Sequence, residues 1–321
     1  MARCLRGLVL AMGLAWMGAA QATTGLAWTW EEDTAHRYFI EAELLLPELL
    51  LLQQAENVNV RVSEVTVMLN TLCSPDGPPG KKVVVVSCSI DDVRLVAAPV
   101  RSEVGKLLPI LDEMDAALLQ ATVELTLTRD GRLRGLSLQG MDDRIRRLRQ
   151  IQESLRQVML RAYASLDLTL PKKGDDEGRT WRDATSRSMG FVTNTGTYGK
   201  AELSSKIVSQ EGDIVQIDTQ GQGVMVPGDD QAVMTPEGAM VARTKDNYDM
   251  SHRGTTRFDV ANGHIVERIY RVDGVPTASS QVAEGGAGVS YVQNVRLKLV
   301  TGEMPALPPN GELAPGGSRG L

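Results

Sequence analysis

The sequence predicts an α+β fold, in which a curved antiparallel β-sheet of half-barrel-like meanders is covered by packed amphipathic helices. Runs in which apolar and polar residues alternate recur along the chain, and this period of two is typical of half-buried strands. Asp-Gly and Asn-Gly pairs between such runs predict tight hairpins. One long stretch instead repeats its apolar residues every three or four positions, which predicts a helix packed on the sheet.

The N-terminus has the composition of a secretory leader. MARCLR is basic, GLVLAMGLAWMGAA is apolar, and Ala20-Gln21-Ala22 places small residues at a cleavage site. This order is typical of a signal peptide, and the apolar run is shorter than the ~20 residues that a bilayer span needs. We therefore expect residues 1–22 to be removed after Ala22. The mature protein should then be periplasmic or extracellular and should lack a transmembrane segment.

Two cysteines remain after cleavage, Cys73 and Cys88, on either side of the turn-forming stretch SPDGPPGKK. In an oxidising compartment, such a pair around one hairpin predicts a structural disulfide. Neither cysteine belongs to a C-x-x-C motif or lies near a histidine in the sequence, so a metal-binding or redox role is not expected.

The acidic balance argues against nucleic acid as a partner. The whole chain carries a net charge of −6, and the leader holds two arginines and no acids, which leaves −6 − 2 = −8 for the mature protein. A negative surface repels phosphate backbones and favours solubility. Aromatic residues make up 4% of the chain, which leaves little material for stacking on bases.

The predicted N-terminal half spans residues 23–170 and is mainly β, with two helices. Residues 38–46 and 57–72 are expected to be extended, and the alternation changes phase at Ser63-Glu64, which predicts a β-bulge. Pro109 is expected to open a short helix, because proline suits the first helical turn.

Residues 123–138 predict a hairpin about Asp130-Gly131. The clearest helix follows at about 142–165, with Asp142 and Asp143 at its start and a stripe of apolar residues. Its other positions carry six arginines. A basic helix of this kind binds anionic lipid or packs on a sheet with its basic face in water, and we favour packing because the apolar stripe requires it.

The predicted C-terminal half spans residues 171–300 and consists of short antiparallel strands. Hairpins are expected about Gly212 and about Asn262-Gly263, and the last strand should end near Val300. The tail, residues 301–321, is rich in Pro and Gly and should be disordered. The pattern of residues 256–270 resembles that of 123–138, which suggests a duplication.

A resemblance covers residues 118–300. The hairpin LTRDGRLRGLSLQG, the long helix, Leu170-Pro171 followed by GRTW, and GTTRFDVANGHIVERIYRVDG resemble a group of secreted bacterial proteins of unknown function. That group is similar in architecture to the periplasmic lipoprotein carriers, in which helices plug a curved half-barrel, and to related lipid-binding lipoproteins. The resemblance implies an apolar ligand between sheet and helices and supplies no catalytic residue.

The sequence contains no strong catalytic or metal-binding motif. His36, His252 and His264 lack metal-ligand spacing, so we expect no metal and no cofactor. We expect His252 and His264 to be exposed. No nucleophile elbow is present, and the paired aspartates lack calcium-loop spacing. A non-catalytic protein is therefore expected, although a hydrolase whose residues converge from distant positions is a remote alternative.

The leucine-rich stretch ELLLPELLLLQQAEN (43–57) is the remaining candidate for function. Pro47 interrupts it and it is too short to cross a bilayer, so it is either a buried central strand or the lining of an apolar site. The second interpretation predicts an exported carrier of a lipid-like ligand in the cell envelope. The alternative is a structural or protein-interaction module with a filled core and an envelope protein as its partner. The predicted lining residues are Leu44, Leu46, Leu50 and Leu52 from this stretch and Leu148, Leu155 and Val158 from the long helix.

Overall fold

The structure is a computed structural model of the chain. It describes residues 26–31, 34–45, 62–77, 82–99, 104–140, 158–159, 161–171, 180–185, 198–226, 232–234, 240–242, 248–276 and 291–308. The predicted leader, most of the predicted 142–165 helix and residues 309–321 lie outside these ranges.

Within the described residues, eleven strands form one antiparallel sheet, in the order β5-β4-β3-β2-β1-β13-β12-β11-β8-β7-β6. A separate two-stranded sheet pairs β9 with β10. The strands of the N-terminal half are β1 (His36–Leu45), β2 (Val62–Pro75), β3 (Val83–Pro99), β4 (Thr122–Thr128) and β5 (Leu133–Gln139). Those of the C-terminal half are β6 (Thr180–Thr185), β7 (Tyr198–Glu211), β8 (Ile214–Val226), β9 (Ala232–Met234), β10 (Met240–Ala242), β11 (Tyr248–Asp259), β12 (His264–Pro276) and β13 (Tyr291–Leu299).

The α+β class predicted from the sequence is wrong, because the described chain is an all-β structure. Its helices are α1 (Val104–Leu118) and a short helical stretch that ends in a 3-10 turn at Ala164–Leu166. Only the last residues of the predicted 142–165 helix are described, and these end in that turn. Helix α1 packs on β3 and begins at Val104, so Pro109 lies inside it and does not open it. Most of the described residues instead form long strands bonded into one sheet.

The predicted strand features are confirmed at the local level. The register of β2 against β3 shifts between Val62 and Glu64, which places a bulge at Ser63. The turns of the β4–β5, β7–β8 and β11–β12 hairpins contain Gly131, Gly212 and Gly263. Each of these glycines has a positive φ, the backbone conformation that glycine adopts at least cost.

Strand β1 joins the two predicted halves into one sheet. It pairs with β2 on one side and with β13 on the other, so chain segments more than two hundred residues apart lie side by side. The face of the sheet that carries Ile40 and Leu69 is the buried one, and we call it the inner face.

The predicted disulfide is confirmed. Cys73 and Cys88 are directly opposite each other on β2 and β3, their sulfurs are 2.04 Å apart, and both side chains are fully buried. Such a bond is consistent with an oxidising, extracytoplasmic location. In the described part of the chain, no helix is both long enough and apolar enough to cross a membrane.

One end of the sheet is closed by a bridging segment, residues 158–159 and 161–171. The Trp181 indole of edge strand β6 donates to the carbonyl of Thr169 at 2.9 Å. The amide of Leu170 donates at 2.8 Å to the carbonyl of Asp130, in the turn beside the opposite edge strand. Because the two edges of an eleven-stranded sheet meet the same short segment, the sheet must curve around it.

An N-terminal strap, residues 26–31, lies against two hairpin turns at this end. The amide of Thr29 donates to the Gly263 carbonyl at 2.9 Å, and the Trp28 ring lies against Gly131. A Cβ at Gly131 would be 1.7 Å from Trp28 Nε1, so the strap requires glycine there. The strap therefore connects the hairpin turns of the two halves.

The tail predicted to be disordered from residue 301 is described as far as residue 308. The Asn70 side chain donates to the carbonyl of Pro305 at 2.9 Å, so this first part of the tail is held against β2.

Candidate ligand-binding site

The antiparallel register aligns inner-face residues into rows that cross the sheet. Because side chains alternate between the two faces of a strand, residues opposite each other in register point to the same side. One row, which we call the His252 row, crosses five strands from β1 to β8. Its members are Leu44, Gln293, Val272, His252 and Gly221.

On the N-terminal half the described inner face is almost entirely apolar. We call this region the apolar face and define it as the buried inner residues of β2 to β4. Side chains such as Val67, Leu69, Leu95 and Leu125 are at most 1% exposed and pack against one another. This is an ordinary hydrophobic core, stabilised by the removal of apolar surface from water.

On the C-terminal half the same face carries buried polar groups. Five of these form what we call the polar patch: His252, Thr256, Arg268, Tyr270 and Gln293. Four of the five are at most 3% exposed, and Tyr270 is partly buried. Buried polar groups are costly unless they form hydrogen bonds, so the contacts of each one indicate its role.

Two members of the polar patch hold the bridging segment. Arg268 donates from Nη1 to the carbonyl oxygens of Ser165 at 2.9 Å and of Asp167 at 2.7 Å. Gln293 donates from its side-chain amide to the carbonyl of Arg161 at 3.2 Å. These bonds supply partners to carbonyl groups at a helix end, which otherwise lack them. The two residues therefore have a structural role.

Among the described residues, His252 has a hydrogen-bond partner for only one of its two ring nitrogens. Its Nδ1 lies 2.8 Å from the Tyr270 hydroxyl, whereas Nε2 is buried and has no hydrogen-bond partner among the described residues. Burial lowers the pKa of His252 to about 4, so the imidazole is neutral at pH 7. The hydroxyl of Thr256, four residues further along β11, is likewise buried and has no partner among the described residues.

Gly254 leaves room for the contact between His252 and Tyr270. It lies directly opposite Tyr270 in register, and a Cβ at this position would be 2.7 Å from the tyrosine ring. The ring occupies the space that a larger residue would take. The cation of Arg268 lies 4.7 Å from the centroid of the same ring and supports it from another side.

The structure describes two of the predicted lining residues, and both are buried. Leu44 is 0% exposed and lies opposite Gln293 in the His252 row, and Val158 is 2% exposed in the bridging segment. Because Gln293 bonds to Arg161, three residues after Val158, the structure brings both predicted residues to the polar patch. Leu46, Leu50, Leu52, Leu148 and Leu155 lie outside the described residues.

The expectation that His252 and His264 are exposed is wrong, because the two residues are 1% and 8% exposed. A signal in the sequence was available for His252. It lies two residues after Met250 and six before Phe258, so it shares the inward phase of an alternating strand. The lack of a partner motif in the sequence does not predict exposure, because strand phase decides burial.

A second histidine cluster lies under the N-terminal strap. The rings of His36 and His264 have centroids 4.6 Å apart, and Trp30 meets His36 edge-on at 5.1 Å. Burial, and secondarily the charge of His264, lowers the pKa of His36 to about 4. Among the described residues, no three His, Cys, Asp or Glu side chains are grouped so that they could hold a metal ion.

Comparisons with known proteins supply no family for this chain. No protein-family model matches the sequence, and a search of curated proteins finds no significant match. The function therefore has to be argued from the site. The polar patch offers hydrogen bonds beside apolar surface, and the described bond of His252 is to a tyrosine and not to a serine or cysteine nucleophile.

Proposed function

We propose that the protein is an exported, non-catalytic binding protein that carries an apolar, lipid-like ligand in the cell envelope. The observation that carries the proposal is the composition of the inner face around His252. Apolar residues such as Leu44 and Val272 lie beside a few buried polar groups, and two polar atoms, His252 Nε2 and Thr256 Oγ1, have no hydrogen-bond partner among the described residues. Sites for small apolar ligands have this composition, with polar groups that fix orientation.

Two features support an envelope location, one in the structure and one in the sequence. The Cys73–Cys88 disulfide is consistent with an oxidising compartment. The basic and apolar leader that precedes Thr23 is typical of a signal peptide. The resemblance of residues 118–300 to lipoprotein carriers, which is drawn from the sequence, is the reason to expect a lipid-like ligand.

A structural or protein-interaction module is the alternative, and one observation favours it. Arg268 and Gln293 both donate to backbone carbonyls of the bridging segment and hold it over the sheet, as a filled core requires. Under this alternative, the space over the polar patch is occupied by the protein itself and a partner protein binds elsewhere.

Native mass spectrometry of the mature protein, extracted gently from its own cell envelope, tests the proposal. We expect a discrete additional mass that organic solvent removes and whose value gives the class of ligand. The mass of the cleaved, disulfide-bonded chain alone would contradict the carrier and favour the interaction module.

A matched pair of variants separates loss of ligand from loss of fold. We expect Leu44→Glu to abolish the additional mass while the protein keeps its circular dichroism spectrum and its disulfide. Leu125→Glu is the control, because Leu125 is equally buried on β4 but lies on the apolar face. A charge buried in a filled core costs several kcal/mol, roughly the whole stability of a domain. Unfolding of both variants would contradict the carrier.

A further inference from the structure

We propose that His252 recognises the ligand through a hydrogen bond from Nε2 to an acceptor oxygen, so that the cargo is an acyl compound with a carbonyl or carboxylate group. This inference rests on the proposed carrier function and names the class of ligand that the same site selects. It starts from the one side of the His252 ring that no described residue satisfies.

The hydrogen bond to Tyr270 determines which proton His252 can offer. A neutral imidazole has one N–H and one acceptor nitrogen, and the bond made by one nitrogen sets the state of the other. A phenol hydroxyl is a stronger donor than an imidazole N–H, so we assign Tyr270 as the donor to Nδ1. The proton of the ring then lies on Nε2, which becomes a buried donor in need of an acceptor.

The surroundings of Nε2 indicate that this acceptor belongs to an apolar molecule. Val272 lies directly opposite His252 in register, and Met250 precedes His252 on the same face of β11. A buried donor without a partner is costly, and a site with such a donor discriminates against ligands that lack the matching group. An alkyl chain on apolar side chains and an oxygen on Nε2 would satisfy both requirements.

Tyr270 is a positioning residue in this proposal. Gly254 leaves room for its ring, and its hydroxyl orients the imidazole and fixes the tautomer. Removal of that hydroxyl leaves the shape of the patch largely unchanged. The ring proton is then no longer held on Nε2 and can lie on either nitrogen. The preference for an acceptor should therefore fall even though the Tyr270 hydroxyl itself is directed to Nδ1.

The test measures binding of three probes with matched sixteen-carbon chains to the delipidated full-length mature protein: hexadecane, hexadecanol and methyl palmitate, the methyl ester of the sixteen-carbon acid. The ester can only accept a hydrogen bond, the alcohol can accept and donate, and the alkane can do neither. We expect the ester to bind about tenfold or more tightly than the alkane, which corresponds to one satisfied buried donor. A preference for the alcohol over both other probes would overturn the assigned tautomer and with it the acyl class.

Variants assign the preference to His252. We expect His252→Phe and Tyr270→Phe each to reduce the ester-to-alkane ratio towards one while alkane binding persists. His264→Phe is the matched control, because it removes another buried imidazole outside the polar patch, and it should keep the wild-type ratio. If His252→Phe does not fold, the Tyr270→Phe result decides.

The possible outcomes separate this inference from the carrier function. Equal binding of all three probes to the wild-type protein would overturn His252 recognition and leave a carrier of hydrocarbon chains. No binding of any probe would contradict the carrier itself. A wild-type preference that survives both His252→Phe and Tyr270→Phe would also overturn the inference, because the acceptor would then be bound elsewhere.

Discussion

The two halves of the inner face use one strand geometry for different purposes. On the apolar face, inward positions carry residues such as Val67 and Leu69, which need only close packing. On the C-terminal half, inward positions in the same continuous sheet carry His252, Thr256 and Arg268. The register that builds a core on one side therefore aligns polar groups on the other, and the chemistry of the inward residues decides which half can select a ligand.

Acidification should have the largest effect on the difference between the two halves, because it protonates a residue of the polar patch. The pKa of His252 is about 4 in the folded protein and near 6.5 in the unfolded chain, so the unfolded state binds more protons between these values. Stability should be complete above pH 6.5, fall as the pH decreases to 4, and then level off, with a loss of up to roughly 3 kcal/mol from this residue. Chemical denaturation at a series of pH values measures the loss.

Comparison with His252→Phe isolates the contribution of this histidine, because His36 also has a lowered pKa and adds to the wild-type slope. The variant should show a flatter stability profile between pH 6.5 and pH 4. Identical profiles for the two proteins would mean that His252 is not buried as a neutral ring.

Two substitutions that exchange a methyl group and a hydroxyl compare the apolar face with the polar patch directly. Val67→Thr places a hydroxyl in the apolar face and should cost about 1–3 kcal/mol, because the hydroxyl finds no water there. Thr256→Val removes a buried hydroxyl that has no partner among the described residues and should be neutral or stabilise by about 1 kcal/mol. Urea denaturation of both variants gives the two values, and a loss of similar size in both would remove the distinction between the halves.

Two glycines test the strap that connects the halves, and the difference between their alanine variants is the smallest expected effect. Gly263 and Gly212 have φ values of 67° and 59°, so alanine is strained at both. A Cβ at Gly263 would lie 2.3 Å from Thr29 Oγ1, whereas one at Gly212 would meet nothing within 4 Å. Gly212→Ala should cost about 1 kcal/mol and Gly263→Ala about 1–2 kcal/mol more. Equal losses in thermal denaturation would show that the strap adds nothing.

Local features of the fold were predictable because short-range chemistry determines them. The phase change at Ser63-Glu64 predicts the bulge, the glycine turns predict the hairpins, and the cysteine pair predicts the disulfide. The fold class was not predictable in this way. A helical period in one stretch predicts one helix and not a whole layer of helices. The fold class depends on how many strands pair with strands that are distant in the sequence.

The candidate site was predictable only in part, for the same reason. The alternation that buries Leu44 is visible in the sequence, and Val158 belongs to a visible apolar stripe. The pairing of Leu44 with Gln293 depends on the register of β1 against β13, which no local pattern indicates. The bond between His252 and Tyr270 depends likewise on the pairing of β11 with β12 and on the space left by Gly254.

The central claim is that a ligand binds on the polar patch at His252 Nε2. A crystal structure of the mature protein purified from its own envelope without delipidation tests it most directly. We predict an elongated molecule on the inner face, with an oxygen within hydrogen-bond distance of His252 Nε2. Protein side chains in place of that molecule, with Nε2 bonded to a protein group or to a single water, would contradict the account.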